Sequence, residues 1–333
     1  MKTTYKKEFF FSVVIPFSQR NNFLIENINS LKKQKYHKFE VILVGNEDEI
    51  NMMKYLDDKI TYKYVNYKSP SKKRNLGNSI SKGEFLAFID DDAYPDVNWL
   101  YNINNYLNEN KSALVLAGPS LTPKDDGFFA SLSSDFYESY IGGGNVSRYR
   151  KIKNLNFVKD WPSVNFVINK ELFNSIKGFN SNIWPGEDTL LCENLEKKNI
   201  KIHYLCDSIV FHHRRNSLIK HTRQVYNYGY IRGNLIRNKL IRITFKALIP
   251  TFFILYMLSL LAIYLIFKKM NLILLIPFII YMVLIFFEQL RISKKSIINS
   301  LIFPLTVIIS HFFYGFAFIN GLSKKRNKIM KRF

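Results

Sequence analysis

Short apolar runs alternate with stretches of helical spacing over the first 115 residues. Ser12–Phe17 is a β-branched run closed by polar Ser-Gln-Arg-Asn-Asn, after which Leu24, Ile25, Ile28 and Leu31 recur on one helix face. Phe39–Val44 predicts a second buried strand stopped by Gly45, and Ile60–Val65 a third. Asn75–Ser81 reads as a helix ended near Gly83, and Glu84–Ile89 as a fourth strand. Strand–helix–strand units of this size predict an α/β fold, a mostly parallel sheet with helices on both faces. Ligands on such sheets sit beyond the carboxyl ends of the strands. Chemistry is therefore expected in the segment just after the fourth strand.

The far end of the chain has a different rhythm. No charged residue occurs from Ala247 to Phe267, and about 20 such residues suffice to cross a bilayer. Asn271–Phe287 is a second, shorter run and Ser296–Ser323 a third. Each run alone also suits a buried core helix, but three of them separated by Lys/Arg clusters point to a membrane region over 246–333. It would hold two or three hydrophobic helices and a basic tail. With the basic clusters kept inside, the first crossing is expected to run outward, Lys268-Lys269 to turn tightly, and the second to return to Arg291, Lys294 and Lys295 as anchors. The third run is the most polar and contains Pro304, which is able to break it. A full third crossing would also carry the basic tail outside. Ile297–Leu322 is thus expected to lie in the interface or re-enter, with Lys324–Arg332 cytoplasmic.

Composition sharpens this division. Of 48 basic and 26 acidic residues, the part up to Lys246 holds 37 and 25, whereas the rest holds 11 and only Glu288. The mean hydropathy of -0.08 averages two unlike regions. With 47% hydrophobic residues the chain is no disordered polyelectrolyte. Two cysteines, Cys192 and Cys206, cannot staple a secreted scaffold and imply a reducing compartment. The start lacks a small-residue cleavage site and contains Pro16, which favours a strand over a signal peptide. Arg232, Arg237, Lys239, Arg242 and Lys246 precede the first apolar run and Lys324–Arg332 come after the last, a pattern that attracts anionic lipid. No recognised nucleic-acid motif accompanies the charge, so a nucleic-acid partner is not expected.

After the fourth strand stands Asp90-Asp91-Asp92-Ala93-Tyr94-Pro95. Three adjacent carboxylates repel one another and are stabilised by a cation among them. Mg²⁺ or Mn²⁺ takes one or two such ligands and leaves positions for phosphate oxygens. An acidic turn ahead of a helix starting near Val97 is the plainer alternative.

Four motifs in order carry a resemblance: Ser12-Val13-Val14-Ile15-Pro16; Ser30-Leu31 with Gln34 and Glu40–Val44; Arg74-Asn75-Leu76-Gly77; and Ile89-Asp90-Asp91-Asp92. Together they resemble the nucleotide-binding half of a family 2 glycosyltransferase of the GT-A fold. Ile141-Gly142-Gly143-Gly144-Asn145 with Arg148-Tyr149-Arg150 is similar to a Gly-rich loop of membrane-bound exopolysaccharide or capsule members. Asn165–Ile168, Gly178-Phe179-Asn180 and Gly186-Glu187-Asp188 match the acceptor half. The resemblance implies a GT-A domain over 1–245, divided into a nucleotide-sugar half (1–115), an acceptor half (116–215) and a basic interfacial segment (216–245).

The resemblance also implies roles. Pro16, Arg74, Asp90 and Asp91 would bind the donor, Asp92 and His212 the metal, and Asp188 would be the general base. Trp161, Trp184, Glu187, Arg223 and Gln224 would bind the acceptor. His212 and His213 point to opposite sides of a strand, so at most one of them is expected to face the site, with His212 favoured. Glu187 and Asp188 also suit the cap and first turn of a helix over Thr189–Lys197. Gln224–Tyr228 stands where processive members carry Gln-x-x-Arg-Trp, and Gly45-Asn46-Glu47-Asp48 where the family usually has a base-reading Asp. The expectation is inverting transfer of one sugar from a nucleoside-diphosphate sugar to a lipid-linked saccharide, at the cytoplasmic face of a bacterial inner membrane. An inactive sugar-nucleotide-binding scaffold is the alternative.

Overall fold

The computed structural model describes residues 6–269, 271–293 and 296–323. Lys294 and Lys295, expected to anchor the second crossing, and the basic tail Lys324–Arg332, expected to be cytoplasmic, lie outside them. The described chain divides into two compact units, 6–123 with 150–213, and 124–149 with the residues from 214 onward.

In the first unit β1 (Phe11–Pro16) leads into α1 (Asn22–Lys32), whose cap Asn21 accepts from the Leu24 N–H. β2 (Phe39–Gly45), a short α2 (Glu49–Met52), β3 (Ile60–Tyr64) and α3 (Pro70–Ile80) come after it. α3 starts at Pro70, ahead of the expected Asn75. The Ser69 hydroxyl accepts from the Lys72 N–H, and Pro70, with no N–H to leave unpaired, opens the first turn. β4 (Phe85–Phe88), β5 (Ala93–Pro95), α4 (Trp99–Glu109), β6 (Val115–Ala117) and β7 (Ser120–Leu121) come next. The chain then passes through α5 (Phe128–Tyr137) of the second unit. It returns with β8 (Phe157–Val158), β9 (Phe166–Asn169), α6 (Lys170–Ser175), α7 (Glu187–Lys197), β10 (Ile202–Tyr204) and β11 (Val210–His212).

Eight strands form one sheet in the order β3-β2-β1-β4-β9-β6-β10-β8. β3, β2, β1 and β4 are parallel, with Val13 opposite Val41 and Ala87. Helices cover both faces, so every residue of β1 is buried, which is why its sequence reads as continuous rather than alternating. Val13 and Ile15 join the core on one face with Leu24, Ile28 and Trp99, and Val14 that on the other with Phe88 and Phe166. α3 lies close on β1: a Cβ at Gly77 would come 2.4 Å from Val14 Cγ1. β9 is antiparallel to both β4 and β6, so the sheet is mixed rather than purely parallel. It enters from a turn at Ser163–Asn165 and needs no crossover helix. A second sheet, β5-β11-β7, is not foreshadowed in the sequence because each strand has only two or three residues.

The second unit adds α8 (Leu218–Arg237), α9 (Phe245–Phe267), α10 (Ile276–Ser293) and α11 (Ile297–Ser323) to α5. Phe245–Phe267, Leu272–Ile292 and Ile297–Ser323 are each long and apolar enough to cross a membrane. The expected break at Pro304 is absent, since α11 runs through it. Thr306 Oγ1 donates to the Ile302 carbonyl at 3.2 Å, and apolar helices packed among neighbours tolerate an internal proline.

Candidate active site

β4 ends two residues before Asp90-Asp91-Asp92, and β5 begins directly after them. β5 pairs antiparallel with β11, setting His212 opposite Ala93. This register carries His212 Nε2 to 3.1 Å from Asp92 Oδ1. His213 turns the other way: its Nε2 lies 2.9 Å from Glu26 Oε2 and its ring stacks on Phe23. Burial, then the charges of Asp92 and Asp90, push the Asp91 carboxyl up to about 7. The Asp90 carbonyl accepts from Asn27 Nδ2 at 3.0 Å.

Arg74 projects from the buried face of α3 and is 4% exposed. Its Nη2 donates to Asp90 Oδ1 at 2.6 Å and its Nη1 to Glu187 Oε1 at 2.8 Å. Burial acts to lower its pKa, but the carboxylates outweigh it and raise the value. Glu187 opens α7 behind Gly186, whose φ of 106° favours glycine. Burial, then the Asp188 charge, outweigh Arg74 and push the Glu187 carboxyl up to about 7. Asp188 Oδ1 accepts from the Thr189 N–H at 2.8 Å, so this residue does serve the first turn of the helix. One guanidinium thus ties the Asp90–Asp92 run to the Glu187-Asp188 pair.

Within the first unit the structure also places Pro16 buried at the end of β1, and Trp184 half-buried just ahead of α7. Trp161 is corrected to a core residue. It is 2% exposed, and its Nε1–H is spent on the Gly118 carbonyl at 3.0 Å, which leaves no face for an acceptor. Arg223 and Gln224 are on α8 of the second unit, Arg223 exposed. Gln224 Oε1 accepts from the Tyr137 hydroxyl and its Nε2 donates to Tyr228.

Sequence reasoning misses Lys73. It is 1% exposed, and its Nζ donates to the Phe17 carbonyl and, at 2.6 Å, to Asn46 Oδ1. Burial lowers its pKa to about 8. The available signal is position: Lys73 and Gly77 are four apart and share the face of α3 that meets β1. In Lys72-Lys73-Arg74 it looks like part of a solvated basic run.

A carboxylate oxygen and an imidazole nitrogen 3.1 Å apart suit Mg²⁺ or Mn²⁺ completed by phosphate and water. Among the described residues no three His, Cys, Asp or Glu side chains form a metal cage. The donor set therefore fits an ion shared with substrate rather than a self-sufficient site.

Residues 12–173, which include Arg74 and Asp90–Asp92, match the family described as glycosyl transferase family 2. Glu187, Asp188 and His212 lie beyond the matched stretch. The chain is 25% identical over 224 residues to the glycosyltransferase GlyG of Streptococcus pneumoniae, covering 63% of this chain and 73% of that protein. An uncharacterized glycosyltransferase of Rickettsia bellii is 36% identical over 86 residues, 24% of this chain and 12% of its own length. The poly(ribitol-phosphate) beta-N-acetylglucosaminyltransferase TarS of Staphylococcus aureus is 29% identical over 115 residues, 32% of this chain and 20% of its own. The crystal structure of TarS 1–349 in complex with UDP-GlcNAc has a TM-score of 0.49 at 17% identity, covering 67% and 66% of the two chains. The chain thus spans only 12% and 20% of the Rickettsia protein and TarS. It carries a mixed α/β domain, similar over residues 12–173 to glycosyl transferase family 2, followed by apolar helices long enough to cross a membrane.

Proposed function

We propose that the chain is an inverting glycosyltransferase that moves one sugar from a nucleoside-diphosphate sugar to a lipid-linked saccharide. It would work at the cytoplasmic face of a bacterial cell membrane, in surface polysaccharide synthesis. The observation that carries this reading is Arg74, held between Asp90 and Glu187 at 2.6 and 2.8 Å. A donor-side carboxylate run and an acceptor-side carboxylate pair are thereby assembled around one buried cation.

Pro16, Arg74, Asp90 and Asp91 form the donor side of this proposal, and Trp184 and Glu187 the acceptor side, with Arg223 and Gln224 meeting the lipid-linked portion. Asp92 and His212 would hold Mg²⁺ or Mn²⁺, whose charge, when bound, neutralises the departing diphosphate. Asp188 takes the proton of the attacking hydroxyl as the new C–O bond forms at the anomeric carbon. The bond to the β-phosphate oxygen breaks with its electron pair leaving on the diphosphate. Attack from the face opposite that group inverts the centre.

The Asn46–Lys73 pair replaces the usual acid at the end of β2 and suits the scaffold alternative. Retention of Asp90, Asp92 and Asp188 together favours the enzyme. Nucleotide release, measured with and without EDTA over a panel of donor sugars and a lipid-linked acceptor, separates the two. The enzyme releases nucleoside diphosphate and stops in EDTA, whereas a scaffold binds donor and releases nothing.

A further inference from the structure

α11 has the length of a membrane span, yet its neighbours within the second unit trace another path. The start of α9 and the end of α10 meet at one loop. Lys246 Nζ lies 3.5 Å from the Gly144 carbonyl, and Glu288 Oε1 accepts from the Tyr140 N–H at 3.2 Å. These two charged residues mark a common boundary from which α9 and α10 run toward Lys268. Along α11, Asn299 donates to Asp135 and Ser131 of α5, and Ser300 Oγ to the Gln289 carbonyl beside Glu288. His311 Nδ1 then meets the Tyr281 hydroxyl at 3.0 Å. At Gly315 a Cβ would lie 2.5 Å from the Pro250 carbonyl, in the opening turns of α9. Finally Gly321 abuts Tyr230, and Arg237 donates to the Leu322 carbonyl.

These contacts give depths. Tyr281 is seven residues from Glu288, about 10 Å along a helix. Pro250 is four residues from Lys246, about 6 Å. The contacts of α11 with α9 and α10 thus stay within roughly the first third of the ~30 Å hydrocarbon thickness, counted from Lys246 and Glu288. From Ser310 to Leu322 it also runs parallel to α8, pairing with His221, Tyr226, Tyr230 and Arg237 in order. A crossing α11 would take Arg223, Arg232 and Arg237 of α8 with it, and cations in hydrocarbon are costly. Its buried face holds Asn299, Ser300, Thr306, Ser310 and His311, while Ile298, Leu301, Leu305, Phe312, Phe316 and Ile319 are exposed.

We infer that α11 does not cross the membrane but lies in its interface beside α8, presenting the Ile298–Ile319 apolar stripe to lipid acyl chains. Both of its ends stay on the side where α9 begins and α10 ends. Lipid is the occupant because α11 packs against α9 and α10, whose outer apolar side chains are exposed like its own. The inference does not depend on the catalytic reading.

Single cysteines at Thr244, Lys269 and Ser323, in the complete chain, test it with a membrane-impermeant maleimide on intact cells and inverted vesicles. The wild type, with Cys192 and Cys206, is the blank. Thr244→Cys and Ser323→Cys are expected to label from one face and Lys269→Cys from the other. Labelling of Ser323→Cys together with Lys269→Cys would overturn the inference. A paired alkaline-phosphatase and fluorescent-protein fusion after Phe333 covers any variant that fails to insert. It should report the Thr244 face, and the Lys269 face would refute the idea. A disulfide-linked dimer through Phe312→Cys would make a second copy the occupant and overturn the lipid assignment.

Discussion

Replacing Arg74 with Met tests the buried charge cluster most directly. The guanidinium makes charge-assisted hydrogen bonds of 2.6 Å to Asp90 and 2.8 Å to Glu187. Removing one partner of a buried ion pair costs about 3–5 kcal/mol, because the remaining charge has nothing to compensate it. Asp90 is half-buried and recovers some hydration. Glu187 is 5% exposed and already sits at about 7, so without Arg74 it is protonated at neutral pH. That escape holds the expected loss to the lower end, about 3 kcal/mol. At about 2–4 °C per kcal/mol, the melting temperature falls by about 6–12 °C. Trp99, Trp161 and Trp184 all lie in the first unit, so tryptophan fluorescence of the complete chain in detergent follows this unit alone. Adding Glu187→Gln removes the stranded acid and should return about 1–2 kcal/mol, which additivity would not allow. An Arg74→Met protein melting within about 2 °C of wild type (under 1 kcal/mol) would refute the reasoning. So would a double variant no more stable than the single.

The same geometry carries other expectations. Asp188→Asn should leave donor binding by calorimetry nearly unchanged and lower turnover by about 10²-fold, whereas Asp92→Ala should weaken metal-dependent donor binding itself; full turnover in Asp188→Asn would remove that residue from its role. Lys73 is lowered from 10.5 to about 8 in the folded chain, so the unfolded chain holds more protons between these values and stability rises with pH across that window. The rise is at most about 3 kcal/mol, and Lys73→Met should flatten it in chemical unfolding followed from pH 7 to pH 10.5. At Gly233 a Cβ would lie 2.3 Å from the Phe318 carbonyl, so Gly233→Leu should separate α8 from α11 and cost at least about 1–3 kcal/mol; an unchanged melting profile would show that the two helices do not need this approach.

Some of this molecule is legible because a short stretch of chain decides it. β1, β2 and β4 are nearly continuous apolar runs, interrupted only by Ser12 and Glu40, since both faces of the sheet are covered. The order of elements alone sets Asp90–Asp92 at a strand end. The start of α3 is concealed because Lys72, Lys73 and Arg74 hide their helical face behind charge, and burial of Lys73 and Arg74 depends on partners far along the chain: Asn46, Asp90 and Glu187. β5 and β7 have no periodicity to detect at two or three residues each, and β11 shows only as the short strand carrying His212, with nothing to name its partners. Yet the β5–β11 register is what brings His212 to Asp92. Trp161 misleads because an aromatic near a site motif looks the same in sequence whether it stacks on a sugar or fills a core. Its hydrogen bond to Gly118 distinguishes the cases.

The second unit mixes hydrogen-bonded polar groups into its apolar interior, and that mixture explains what its sequence conceals. Hydropathy identifies α9, α10 and α11 alike as apolar, but it does not say which face is turned inward. In α11 the inward positions include the polar Asn299, Ser300, Thr306, Ser310 and His311 and the small Gly315, Ala317 and Gly321, beside the apolar Phe303, Val307 and Phe318. His221 of α8 bridges Ser133 and Ser310 at 2.8 and 3.0 Å, and Asn299 bonds Asp135, so the interior is joined by hydrogen bonds. Small residues let backbones approach where no water-driven collapse acts between helices, and Gly229, Gly233, Gly315 and Gly321 all sit within such contacts. Gly229-Tyr230-Ile231-Arg232-Gly233 therefore carries information that charge alone obscures. Its arginine suggests a surface helix, while its two glycines, four apart, require a neighbour on the opposite face. A helix meeting both demands belongs at a boundary, charged toward water and closely packed toward α11. The polarity that makes the third apolar run look like a weak span is thus the polarity needed to hold α8 beside it.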